Sequence, residues 1–144
     1  LRRSTCISRR IANLLLALWT GSLVTVCALV APTLFALLER PLAGRVAARL
    51  FFAEAAIGVC ATIGIFALQR LGGFVLSRAA VAAILIAALA PLASELFLTP
   101  IMQAAREAGD MARFGALHGV SAVLFVSACV SAVAAVWLFN RPAT

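Results

Sequence analysis

The chain is predicted to be an all-α, polytopic membrane protein, an antiparallel bundle of four transmembrane helices. Three observations predict this. Of its 144 residues, 65% are hydrophobic and 12% are charged, against about 45–50% and about 25% in an ordinary soluble domain. The mean hydropathy is +1.12, and a soluble chain of this size buries only about 70% of its surface. The apolar residues also fall in four unbroken runs, each near the ~20 residues that cross a bilayer as a helix. A soluble enzyme, a disordered tail and a free nucleic-acid-binding domain are excluded on these grounds, and the expected partner is the lipid bilayer.

The first span is expected over about residues 11–38, from Ile11 to Leu38, closed by Glu39-Arg40-Pro41. The second covers about residues 46–68. It opens after Pro41, whose missing N–H suits a first helical turn, and ends in Gln69-Arg70-Leu71-Gly72-Gly73. The third covers about residues 79–98 and is rich in alanine, the best helix former. Residues 99–113, with Gln103, Arg106, Glu107, Asp110 and Arg113, are the most polar stretch. They read as a short interfacial helix or as an extension of the third span. The fourth span covers about residues 114–139 and ends in Asn140-Arg141-Pro142. None of the runs alternates as a barrel strand does. Short connections make neighbouring spans antiparallel, and residues 1–144 read as a single membrane domain.

The net charge of +7 arises from twelve arginines against five acids. In a soluble chain this would suggest nucleic acid, but here no basic face carries interleaved aromatics. The arginines sit between apolar runs, where they set topology. Placing the N-terminus inside puts Arg2, Arg3, Arg9, Arg10, Arg70, Arg78 and Arg141 on the inner side. Arg40, Arg45, Arg49, Arg106 and Arg113 then lie outside. Both termini are therefore expected in the cytoplasm, with the chain in a bacterial inner (plasma) membrane. The basic start resembles a signal peptide, but the apolar run after it is too long for one, so it reads as an uncleaved first span. Cys6, Cys27, Cys60 and Cys129 form no C-x-x-C pair and read as small buried hydrophobes.

Lipid supplies no hydrophobic force between helices, so small residues must let the backbones approach. Span one offers Ala17, Gly21 and Thr25. Span two offers Gly58, Ala61 and Thr62. Span three offers Ala80, Ala83, Ala87, Ala90 and Ser94. Span four offers Gly115-x-x-x-Gly119 and Ala128-x-x-x-Ala132. These faces serve packing inside the monomer or a homodimer. Pro32 and Pro91 each free a carbonyl four residues earlier, at Ala28 and Ala87, and bend their helices. Trp137 reads as an interfacial anchor, and Trp19, deeper, as a packing residue.

Charged groups inside spans are costly and mark function by default. Glu54 falls a third to half of the way down span two, Glu95 near the outer end of span three, and His118 one turn below the outer end of span four. Glu39, Arg45, Arg49, Arg106 and Arg113 lie at the outer level. Glu54, Glu95 and His118 are thus expected to line a polar cavity in the outer half, with Arg45 and Arg49 tuning its charge. Such a cavity suits a metal ion at His118, a haem or a polar small molecule, and Met102 and Met111 could add soft ligands for Cu(I). A purely structural alternative pairs Arg45 or Arg49 with Glu39 or Glu54, and His118 with a carbonyl or Glu95. No catalytic motif is present: there is no G-x-S-x-G, H-E-x-x-H, Walker loop or dinucleotide loop.

One ordered set of motifs adds a resemblance. It comprises Leu18-Trp19-Thr20-Gly21-Ser22, Ala31-Pro32-Thr33-Leu34-Phe35, Ala43-Gly44-Arg45-Val46-Ala47 leading to Leu50-Phe51-Phe52, Thr99-Pro100-Ile101, and Arg113-Phe114-Gly115-Ala116-Leu117-His118-Gly119-Val120-Ser121. Together they resemble a bacterial domain-of-unknown-function family of four-helix membrane proteins, related to eukaryotic small transmembrane (TMEM-type) proteins. That family is distantly similar to the copper-resistance-D group and to the bacterial haem-containing protoporphyrinogen oxidase. The resemblance implies copper or haem as candidate cofactors and singles out Trp19, Gly21, Pro32, Phe35, Gly44, Phe114 and His118. The distant haem enzyme uses a histidine early in its first span, where this chain has none. The expected function is binding, or help in transporting, a small ligand or metal ion. The alternatives are a structural or assembly subunit of a membrane complex and a haem-dependent oxidoreductase.

Overall fold

A computed structural model describes residues 2–141. Helix α1 (Arg2–Thr25) continues through a wide π-turn (Val26–Val30) into α2 (Ala31–Leu37). Helix α3 (Arg40–Gly72) returns. Helix α4 (Arg78–Ala93) continues through a second π-turn (Ser94–Leu98) into α5 (Thr99–Glu107), and α6 (Met111–Asn140) returns again. The described residues contain no strand. Four helical stretches are long and apolar enough to cross a membrane: Ser4–Leu37, Arg40–Gly72, Arg78–Glu107 and Met111–Asn140.

The helices outrun the expected spans at most of their ends. Hydropathy marks where side chains leave the apolar layer, whereas a helix stops only where the backbone is made to turn. Ser77 caps the start of α4 by accepting from the Ala80 N–H at 3.1 Å, and Asp110 caps α6 by accepting from the Arg113 N–H at 3.0 Å. Gly73 and Gly109 follow α3 and α5 with φ of 65° and 74°, a left-handed conformation that costs a residue with a Cβ. The polar stretch after Pro100 is thus an extension of the third span.

Both π-turns precede a proline. The Ala31 N–H bonds back to Val26 O, and the Thr99 N–H to Ser94 O, each five residues earlier. Pro32 and Pro100 have no N–H, and their rings crowd the carbonyls of Ala28 and Leu96. Widening the preceding turn relieves that clash. Pro91, in contrast, sits buried within the α-helical run of α4.

The helices pack in a ring: α1 on α3, α3 on α4, α4 on α6, and α6 on α1. The two hairpins carry their buried positions in matching register. Ala12, Leu16, Trp19 and Leu23 on α1 correspond to Ala80, Ile84, Ala87 and Pro91 on α4. Gly58, Ala61, Ile65 and Gly72 on α3 correspond to Phe125, Ala128, Ala132 and Phe139 on α6. With the two π-turns, this makes the bundle a tandem pair of similar hairpins. Both ends of the described chain and the α3–α4 connection lie at one end of the bundle, the terminal end.

Only 28–33% of each helix's most apolar window is buried inside the protein, so most of that surface faces outward, as a lipid-exposed bundle requires. The interior is alanine-rich. The small residues of α4 line it, as do Gly58, Ala61 and Thr62 on α3 and Ala128 and Ala132 on α6. The other two stripes point away from it. Ala17, Gly21 and Thr25 are exposed, and a Cβ added at Gly21, Gly115 or Gly119 would meet nothing within 4 Å.

Candidate functional site

Glu54 lies near the middle of α3, about 21 Å along the helix from Arg40 at 1.5 Å per residue. Its side chain is 4% exposed. The Ser22 hydroxyl on α1 donates to Glu54 Oε1, while Oε2 has no hydrogen-bond partner among the described residues. A buried carboxyl with an unmatched oxygen is costly in either protonation state, because the acid needs an acceptor for its O–H and the anion needs a cation.

Two further buried polar atoms lack partners, Trp19 Nε1 and Thr62 Oγ1, and both belong to the same hairpin. Glu54, Gly58 and Thr62 succeed one another at single helical turns along one face of α3. The Trp19 indole packs against Gly58 from α1, with Nε1 3.3 Å from where a Cβ would stand. The indole N–H therefore lies level with Gly58, between the turns that carry Glu54 and Thr62. One open acceptor, one open donor and one hydroxyl line a single internal strip. An open groove of about 460 Å³ between α1 and α3 reaches this strip at Trp19 and Ser22.

The α6 side closes the strip with sulfur and aromatic groups. The Cys27 and Cys129 side chains lie close together, half-buried against the core. Cys129 Sγ also approaches Leu23 O at 3.8 Å. One turn away, the rings of Phe51 and Phe125 meet in a tilted arrangement, with centroids 4.4 Å apart and planes inclined at 47°. Glu54 thus has an aromatic pair on the side away from the terminal end and Trp19 on the other.

The remaining expected site residues have local partners or solvent-facing positions. Glu95 is half-buried, with Thr99 beside it one turn along its own helix. His118 is exposed, and its ring lies parallel to Phe114 at 6.0 Å. Arg45 and Arg49 are exposed and form no ion pair with Glu39 or Glu54. Among the described residues no three His, Cys, Asp or Glu side chains gather as metal ligands. No three-ligand metal centre is therefore assembled among them, and His118 offers a haem at most one axial ligand. Ser22, Thr62 and the Cys27–Cys129 pair do not stand out as site residues in the sequence. A hydroxyl or thiol in an apolar run reads as a packing residue until the opposite helix is known.

The chain belongs to the family described as Domain of unknown function (DUF4149), whose profile matches residues 14–110. The match covers the first hairpin from Leu14 onward, with Trp19, Ser22 and Glu54, and the third span. It stops before Phe114, Gly115, His118 and Gly119. No curated protein and no solved structure matches the chain. The chain is an integral membrane protein of a family whose activity is unknown.

Proposed function

We propose that the protein binds a small ligand inside the membrane at Glu54, as a carrier or receptor for it. The observation that carries this reading is the carboxyl itself, buried in a membrane helix with one oxygen held by Ser22 and the other open. Intramembrane acids of this kind mark ion and substrate sites. The open Trp19 and Thr62 groups on the same strip support a ligand that both donates and accepts. Purified protein is to be screened by thermal unfolding against monovalent cations, divalent metals and small amines, alongside Glu54→Gln. A ligand at a hundredfold its dissociation constant stabilises the folded state by about 2.7 kcal/mol, and that gain should vanish in Glu54→Gln. A ligand that stabilises both proteins equally overturns the assignment to Glu54.

A second reading, docking of a second copy or of a helix from a membrane complex, is favoured by the open Gly115 and Gly119 face of α6. Cross-linking in native membranes tests it, since Gly119→Leu should abolish a dimer or complex that uses this face. For topology, we infer that the terminal end is cytoplasmic in a bacterial inner membrane, as the arginine distribution favours. Cys6 is exposed near that end. An impermeant maleimide should label it only after the cells are opened, and labelling in intact cells reverses the orientation.

A further inference from the structure

The terminal end of the bundle contains a second polar pocket, far from Glu54. It is an open pocket of about 660 Å³ between the start of α1, the α3–α4 connection and the last turn of α6, and its walls include Arg9, Arg10, Asn13, Phe74, Phe139 and Asn140. All five acids of the chain, Glu39, Glu54, Glu95, Glu107 and Asp110, lie elsewhere. Arg9, Arg10, Arg70, Arg78 and Arg141 all sit at this end, so among the described residues their charge has no carboxylate side-chain counterpart there.

The pocket's polar atoms are mostly donors. Among the described residues the Arg9 guanidinium gives one hydrogen bond, to Phe139 O at 3.1 Å, out of the five it can make. Asn140 Nδ2 donates to Asn13 Oδ1 at 3.0 Å, which leaves the Asn13 amide N–H groups to donate elsewhere. Arg10 is exposed at the rim. The floor is aromatic: Phe74 meets Phe139 edge-on at 6.0 Å, and the Arg9 guanidinium lies 5.9 Å over the Phe139 ring. Two guanidinium forks and an amide around a cavity without an acid match a phosphate, whose oxygens accept paired N–H donors.

We propose that this pocket holds the phosphate of an anionic phospholipid. The flank of the pocket selects a lipid over a free anion. Ile7, Ile11 and Leu14 on α1 and Leu71 and Val75 beside the α3–α4 connection are all exposed. They offer acyl chains an apolar surface that a soluble phosphate would not need. Basic pockets between transmembrane helices at the headgroup level bind anionic lipids in this manner.

The test is native mass spectrometry of delipidated protein in neutral detergent, at physiological salt, where charges beyond about 8 Å are screened. The probes are phosphatidylglycerol, phosphatidylcholine and inorganic phosphate. Phosphatidylglycerol should bind at a stoichiometry of one, more tightly than phosphatidylcholine. The Arg9→Gln/Arg10→Gln protein should lose about ten-fold or more in that affinity. Arg70→Gln/Arg78→Gln, with the same change in net charge at the same end, should bind like the parent. Because Arg9 also holds the end of α6, Arg10→Gln alone is measured as well, and it should weaken binding without lowering the melting temperature. Equal losses in the two double variants, an unchanged affinity in Arg10→Gln, or displacement of the lipid by inorganic phosphate each overturn the proposal.

Discussion

Gly72 and Gly58 show how little room this interior leaves for a methyl group. A Cβ at Gly72 would stand 2.5 Å from Ser8 Cβ, an atom fixed to the backbone, and one at Gly58 would stand 3.1 Å from the Trp19 ring. Overpacking of this kind costs about 1–3 kcal/mol. Gly72→Ala should therefore unfold at a clearly lower temperature than the parent in detergent, and Gly58→Ala should lie between the two. Gly115→Ala, with open space around it, should stay within about 0.5 kcal/mol, and a large loss there would mean that this face is covered. Ser22→Ala exposes a different dependence. It removes the one hydrogen-bond partner of Glu54 among the described residues, so a ligand bound at Glu54 should be held less tightly, while the alanine itself suits the helix. Glu54 was legible in the sequence because a charge within an apolar run draws attention whatever surrounds it. Its partners were not. That Ser22 rather than Arg49 meets the carboxyl depends on how α1 and α3 are rotated against each other, and that rotation is set by Trp19 seated on Gly58.

At the scale of elements, a π-turn holds one residue more than an α-turn, so removing one should restore a regular helix without rotating the residues beyond it. Deleting Ala28, which is exposed within the first π-turn, together with Pro32→Ala should leave a folded, monodisperse protein. Deleting the equally exposed Ala17 from the regular part of α1 should not, because it turns the rest of the helix by about 100° and drives Trp19 off Gly58. Size-exclusion chromatography and circular dichroism in detergent distinguish the two outcomes. The existence and order of the four spans were readable from the apolar runs alone. The wide turns were not, since a proline predicts a freed carbonyl without saying whether the helix kinks, widens or accommodates it. Pro32 and Pro100 come after widened turns, whereas Pro91 lies within the α-helix. The small-residue stripes were likewise visible as stripes. Which of them turn inward depended on a single rotation of each helix, and Gly21 and Gly115 turned out.

For the whole molecule, the matching hairpins carry a prediction about assembly. Each hairpin packs within itself and meets the other along two helix pairs, and the connection between them is open, with Val75 91% exposed. Two fragments divided at Val75 and expressed together should co-purify as one bundle with the parent's melting behaviour, whereas recovery of either hairpin alone would show that the connection itself holds them. The likeness also has a limit. In the shared register the counterpart of Glu54 is Ser121, which pairs with Ser94 at 2.7 Å in a small, electrically neutral contact. Two identical hairpins meeting face to face would have to hide two carboxyls in the same slab of hydrocarbon. Joining them on one polypeptide lifts that obligation: one half can remain a plain scaffold while the other alone carries the buried acid and the unpartnered indole and hydroxyl.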